Sequence, residues 1–314
     1  MSALRGPARI SLRPLKQWLF DPVPVHAMVI GRIGLGSVLV LAYLSRWPLV
    51  DRIYGPDGFA GYAYFQRFPE SGPIGWDPTH YQLFEYLQYV SSSGTIWALY
   101  LALLVSSLCF ALGAAPRVSG TIALVLHSLF LSRNPAASWG WATMLKPFLI
   151  YVILADTARH YSVVAWLRGR MGSTVSPKPW TTSAWPVRLL QVHIACVFVV
   201  LWTRLNEDSW LSGQMLPAAM MSRDWARFDI DWFPYIRYLE LAGIGALILE
   251  LGAPIALWIK PIAKYWALGL MGLFATLVLT TSVGWWDFLM LVVLTVFLPQ
   301  RWLERVIGPS PPKS

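Results

Sequence analysis

The feature that most constrains this chain is a series of eight apolar runs: Ala27–Trp47, Gly94–Ala114, Val118–Leu131, Met144–Thr157, Val187–Trp202, Leu239–Ile259, Tyr265–Val283 and Trp286–Leu298. Crossing a hydrocarbon core takes about 20 apolar residues in a helix rising about 1.5 Å each. Lipid offers the backbone no hydrogen-bond partner, so each run must close its bonds internally, as a helix. The third, fourth and eighth runs are short, and read as short spans or as re-entrant pieces shielded by neighbours. The expected fold is all-α, a polytopic membrane bundle of about eight transmembrane helices. Composition agrees, since 56% of residues are apolar and 13% charged, a balance that polar surface could hardly cover in water. The 18 tryptophans stand largely beside the runs, as an interfacial aromatic belt would.

Charge sets an orientation. With the N-terminus on the cytoplasmic side, the inner set gathers Arg5, Arg9, Arg13, Lys16, Arg117, Arg159, Arg168, Arg170, Lys178, Arg188, Lys260, Lys264, Arg301, Arg305 and Lys313. Acidic residues such as Asp51, Asp57, Glu207, Asp208, Asp224, Asp229 and Asp231 fall outside. Eight crossings satisfy this bias, with both termini cytoplasmic in a bacterial inner membrane. The net charge of +9 is thus spent in short loops beside lipid headgroups, and nucleic acid is not an expected partner. No small-residue cleavage site follows the first run, which reads as an uncleaved anchor.

The organisation follows. Residues 1–24 form a basic cytoplasmic segment, 25–300 the transmembrane domain, and 301–314 a cytoplasmic tail. Two long outer loops, 48–93 and 205–237, are rich in aromatics, Gly and Pro, and loops of that length tend to carry function. The first contains the turn sequence Tyr54-Gly55-Pro56-Asp57-Gly58 and a candidate membrane-surface helix at Leu83–Tyr89. The basic stretch Arg168–Pro179 suits anionic lipid headgroups.

Ionisable residues inside spans are costly and therefore informative. Arg32 sits among Gly31, Gly34 and Gly36, which permit close helix approach, and is read as a structural charge. Glu250 lies deep in the sixth run beside Gly252 and Pro254, and is expected to pair with a cation. Asp287 reads as a helix cap at the outer interface. Lys146, followed by Pro147, is a candidate base if desolvated, against the commoner fate of snorkelling to the interface. His127 and His193 lie in spans, but no metal-ligand spacing occurs, Cys109 and Cys196 stand alone in apolar stretches, and no metal site is expected. Neither a phosphate loop nor a nucleophile elbow is present.

Several local words then recur in a familiar order: Gly31-Arg32-Ile33-Gly34-Leu35-Gly36, Tyr54-Gly55-Pro56-Asp57-Gly58, Ser132-Arg133-Asn134, Arg159-His160-Tyr161-Ser162, and Arg204-Leu205-Asn206-Glu207-Asp208-Ser209-Trp210-Leu211-Ser212-Gly213. From about Val25 to Leu298 the chain resembles the membrane domain of vitamin K-dependent gamma-glutamyl carboxylase, the horizontally transferred transmembrane (HTTM) family. The resemblance implies an outward-facing cavity that admits a reduced quinone, and a Lys acting as strong base in the segment matching Thr203-Arg204-Leu205. Here that position is Arg204, which stays protonated and cannot serve as a general base. The family's His-containing word in the penultimate span is also missing from Phe274–Gly284, and no large lumenal domain follows the last run. The carboxylase mechanism therefore does not carry over.

What the resemblance leaves is a cavity lined by Arg133, Asn134, Lys146, His193, Arg204 and Trp210, suited to a lipophilic or anionic ligand, with a quinone or lipid as the candidate cofactor. Two functions compete. One is a membrane enzyme acting on a quinone, lipid or exported peptide, with Lys146, His193 and Arg204 as candidate catalytic residues. The other is a non-catalytic binding, transport or assembly component working with a partner membrane or exported protein.

Overall fold

In the computed structural model the described residues are 13–58, 90, 92–134, 137, 140–158, 162–163, 170, 180–282 and 284–307. The expected surface helix at Leu83–Tyr89 and most of the stretches Arg168–Pro179 and Arg159-His160-Tyr161-Ser162 lie outside them. Helices are α1 (Arg13–Phe20), α2 (His26–Leu44), α3 (Val50–Tyr54), α4 (Ser93–Ala111), α5 (Pro116–Arg133), α6 (Gly140–Leu154), α7 (Ala184–Val200), α8 (Asp208–Leu211), α9 (Met215–Met221), α10 (Ile236–Ala256), α11 (Lys260–Thr280), α12 (Trp285–Val293) and α13 (Gln300–Ile307). Two three-residue strands, β1 (Pro22–Pro24) and β2 (Thr181–Ser183), pair antiparallel. Each of the eight apolar runs falls on a helix. Five of the helical stretches, His26–Leu44, Ser93–Ala111, Ala184–Asn206, Phe233–Ala256 and Lys260–Thr280, are long and apolar enough to cross a membrane.

Helix α2 is the axis of the bundle, and its glycines explain why. A Cβ on Gly31 would meet Val152 of α6 at 3.1 Å, one on Gly34 would meet Val292 of α12 at 2.5 Å, and one on Gly36 would meet Ala111 of α4 at 2.8 Å. Three neighbours thus approach one helix along three faces, the use of small residues that helix packing without a hydrophobic drive requires. Arg32 is fully buried between them, donating to the Thr157 carbonyl at 2.6 Å and stacking its guanidinium against Gly113.

Helix α5 is the most polar of the long helices and still packs inside. Its hydroxyls fold back on their own turn, Thr121 to Arg117 O at 2.7 Å, Ser128 to Leu124 O at 2.8 Å and Ser132 to Ser128 O at 3.1 Å. His127 lies 2.9 Å from the Ala142 carbonyl through Nε2 and 2.8 Å from the Tyr43 hydroxyl through Nδ1. A carbonyl only accepts, so Nε2 carries the proton and Nδ1 accepts from Tyr43. Tyr43, Tyr54, Tyr100 and Phe130 pack edge to face around this pair.

At the rim, α10 and α11 turn most of their surface outward; Leu241 is 67% exposed and Leu279 66%. In water such a face would aggregate, whereas in lipid it costs nothing. Helix ends sort into two groups. One holds the β1–β2 ladder and the bond from Val163 N to Leu112 O at 3.0 Å. The other holds Arg46, bonded to Ala137 O at 2.9 Å, and Ser282, bonded to Asp224 O at 2.9 Å.

Candidate ligand cavity

The chain leaves α7 through a tight helical turn, Leu201–Asn206, that carries Arg204, and then enters α8, which carries Trp210. Gly213 has a left-handed backbone (φ +76°), and a Cβ there would lie 2.1 Å from the Glu240 carbonyl. Only glycine lets the connection lie flat on α10 at this point. Helix α9 follows along α10, and the chain is then pinned to the end of α11 by Arg227 N to Thr280 O at 3.0 Å and Ser282 N to Trp225 O at 2.7 Å. Segment 201–227 is therefore an ordered cover, fastened at both ends.

Beneath this cover lies a cavity of about 600 Å³, walled by α9, α10, α11 and the start of α12. Most of the wall is apolar, including Met215, Leu247, Phe274, Leu277, Trp225 and Trp286. Its ionisable residues are Arg204, Glu250 and Asp287. Arg204 Nη1 donates to Glu250 Oε2 at 2.5 Å, and the guanidinium lies 3.8 Å over the Trp210 ring. The pair is largely shielded, with side chains 25% and 12% exposed. Pro254 has no N–H for the Glu250 carbonyl, and around this gap the Trp202 and Trp266 indoles donate to the carbonyls of Leu251 and Leu249 at 3.0 and 2.9 Å. The helix continues through Pro254 to Ala256 with its backbone locally supported.

Asp287 stands at the expected helix start but is buried there. It is 2% exposed, sits in the first turn of α12, and lines the cavity together with Glu250. The sequence puts it where the seventh apolar run turns into the eighth; which face of the turn it occupies is fixed by α12 packing on α2, α11 and α6.

The six residues expected to share a cavity separate into four places. Arg204 and Trp210 line it. Arg133 and Asn134 instead hold the loop after α3, Arg133 Nε donating to Tyr54 O and Asn134 Nδ2 to Ile53 O at 2.8 Å. Arg46 completes that anchor with a 2.9 Å bond to the Tyr54 hydroxyl. Burial pushes the Tyr54 phenol above its ordinary range, and Arg46 pulls in the opposite direction. Lys146 is half-buried on α6 on the His127 side of the bundle, and His193 on α7 lies 3.2 Å from the Tyr151 hydroxyl. No group of three or more His, Cys, Asp or Glu capable of holding a metal occurs among the described residues. Comparison with protein families, with characterised proteins and with solved structures gives no match in any of the three.

Proposed function

We propose that this chain crosses a bacterial inner membrane eight times, with both termini cytoplasmic, and holds a lipophilic molecule in the cavity at its outer end. The observation that carries this reading is the cavity itself, about 600 Å³ of mostly apolar space partly covered by an ordered segment. That size and lining suit a drug-sized or lipid-derived ligand oriented by a few polar groups. Orientation is supported by the two groups of helix ends. Lys16, Arg117, Arg188, Lys260, Lys264, Arg301 and Arg305 belong with the β1–β2 end, and Glu207, Asp208, Asp224, Asp229 and Asp231 with the cavity end.

The HTTM-like scaffold remains part of the proposal, with a binding role in place of catalysis. Arg204, standing where that family has its basic Lys, is occupied by Glu250 and Trp210. Lys146 and His193 are not among the residues that line the cavity, which supports a binding role over convergent catalysis. A quinone or lipid is the ligand class of choice, presented to or received from a partner in the membrane. Native mass spectrometry of the protein released from mild detergent tests this. A retained lipophilic adduct, lost when Ala246→Trp fills the cavity, is expected; identical spectra for the two proteins would refute the reading.

A further inference from the structure

The geometry points to a ligand that carries a positive charge: an amphiphilic organic cation whose ammonium-like head sits against Asp287 while its apolar body fills the cavity. This rests on the ligand-holding reading above and, by naming the charge, favours a cationic lipid-like amphiphile over a quinone.

The ionisable side chains that line the cavity, among the described residues, are Arg204, Glu250 and Asp287. Their formal charges are +1, −1 and −1, and sum to −1. The Arg204 charge is already met by Glu250 at 2.5 Å and its face is stacked on Trp210 at 3.8 Å, so the carboxylate in excess is Asp287. It is 98% buried, faces the cavity, and takes no hydrogen bond from any described residue. An ionised carboxylate in such a place is expensive unless a cation or several donors meet it. Among the described residues no donor meets the Asp287 side chain, and the one cation lining the cavity, Arg204, is already paired with Glu250.

The remaining walls suit the same occupant. Trp225, Trp286 and Phe274 surround the space, and aromatic faces attract organic cations, most strongly when both partners are shielded from water. Metal ions fit poorly, because one free carboxylate among indoles lacks the oxygen ligands that hard cations require. The occupant is therefore a soft, weakly hydrated cation with a large apolar body.

Two isosteric probes decide the sign of the charge. Tetraphenylphosphonium and tetraphenylborate have the same shape and opposite charge, and triphenylphosphine oxide is a neutral acceptor of similar bulk. Binding of each to the full chain is measured by equilibrium dialysis in an uncharged maltoside detergent, with empty micelles as the blank. The expected result is saturable binding of tetraphenylphosphonium at least tenfold tighter than of tetraphenylborate. Asp287→Asn should erase that preference, Asp287→Glu should keep most of it, and Ala246→Trp should abolish binding of all three probes. Equal affinity for the two ions, tighter binding of tetraphenylborate, or a preference that survives Asp287→Asn would overturn the proposal. Tighter binding of the phosphine oxide than of the phosphonium would also overturn it, because Asp287 would then be acting as a neutral donor. In each of those cases saturable binding that Ala246→Trp removes leaves the ligand-holding reading standing. Absence of saturable binding by every probe sinks both.

Discussion

Removing Glu250 should damage this protein more than removing its partner Arg204, and the difference can be worked from their surroundings. In Glu250→Gln the guanidinium keeps its charge, since arginine is not deprotonated in proteins, and loses the carboxylate now 2.5 Å away. Losing one charged hydrogen bond costs about 1.5–3 kcal/mol, and stranding a fully buried charge about 3–5 kcal/mol. With Arg204 25% exposed and its stacking on Trp210 retained, the lower part of that range applies, about 2–3 kcal/mol. In Arg204→Gln the two carboxyls left behind can each be neutralised by a proton, so a loss of about 1–2 kcal/mol is expected. At about 2–4 °C per kcal/mol, Glu250→Gln should lower the unfolding midpoint by several degrees more than Arg204→Gln. The double variant should be less destabilised than the sum of the two, with a coupling of about 1–2 kcal/mol. Thermal unfolding in detergent, followed by tryptophan fluorescence, reads all four proteins. An additive cycle, or a larger loss for Arg204→Gln, would refute the pairing argument.

Three further outcomes follow from the same contacts. Gly213→Ala forces a left-handed non-glycine residue and a 2.1 Å contact with the Glu240 carbonyl; it should cost about 2 kcal/mol or more and make segment 222–232 markedly easier to cleave by limited proteolysis. Asn134→Ala should destabilise the protein by about 1–2 kcal/mol through the lost Ile53 bond, yet leave phosphonium binding within about twofold, because Asn134 does not line the cavity; a tenfold loss of binding would return it to the ligand site. Tyr43→Phe leaves His127 Nδ1 without its 2.8 Å donor; a loss of about 1–3 kcal/mol is expected in the unfolding midpoint, and no change would show that the pair is not satisfied as described.

The helices were readable in the sequence because hydrophobic length is a one-dimensional property. Each apolar run, even the short one at Met144–Thr157, lies on a helix, and the Gly31, Gly34, Gly36 spacing already marked α2 as a helix others approach closely. The polar character of α5 was misleading only if its hydroxyls were counted as unsatisfied; Thr121, Ser128 and Ser132 answer their own carbonyls. The site was readable only in part. Glu250 stood out as a costly charge and Arg204 through the family resemblance, but their pairing across 46 positions is a product of packing. Arg133 and Asn134 carried the same polar signal as Arg204 and turned out to fasten a loop, because sequence shows that a polar group needs a partner without showing which partner it has. Asp287 was expected at a helix start and is found there, but its burial against the cavity was not readable, because an acid after two tryptophans looks the same whether its turn faces headgroups or a cavity.

Labelling of single cysteines in intact cells addresses the membrane arrangement on which all of this depends. In a background with Cys109→Ser and Cys196→Ser, cysteines are placed at exposed Asp208 on the cavity end and exposed Lys260 on the opposite end. A membrane-impermeant maleimide should modify Asp208→Cys in whole cells and Lys260→Cys only after permeabilisation. Equal labelling of both, or labelling of Lys260→Cys alone, would contradict the account.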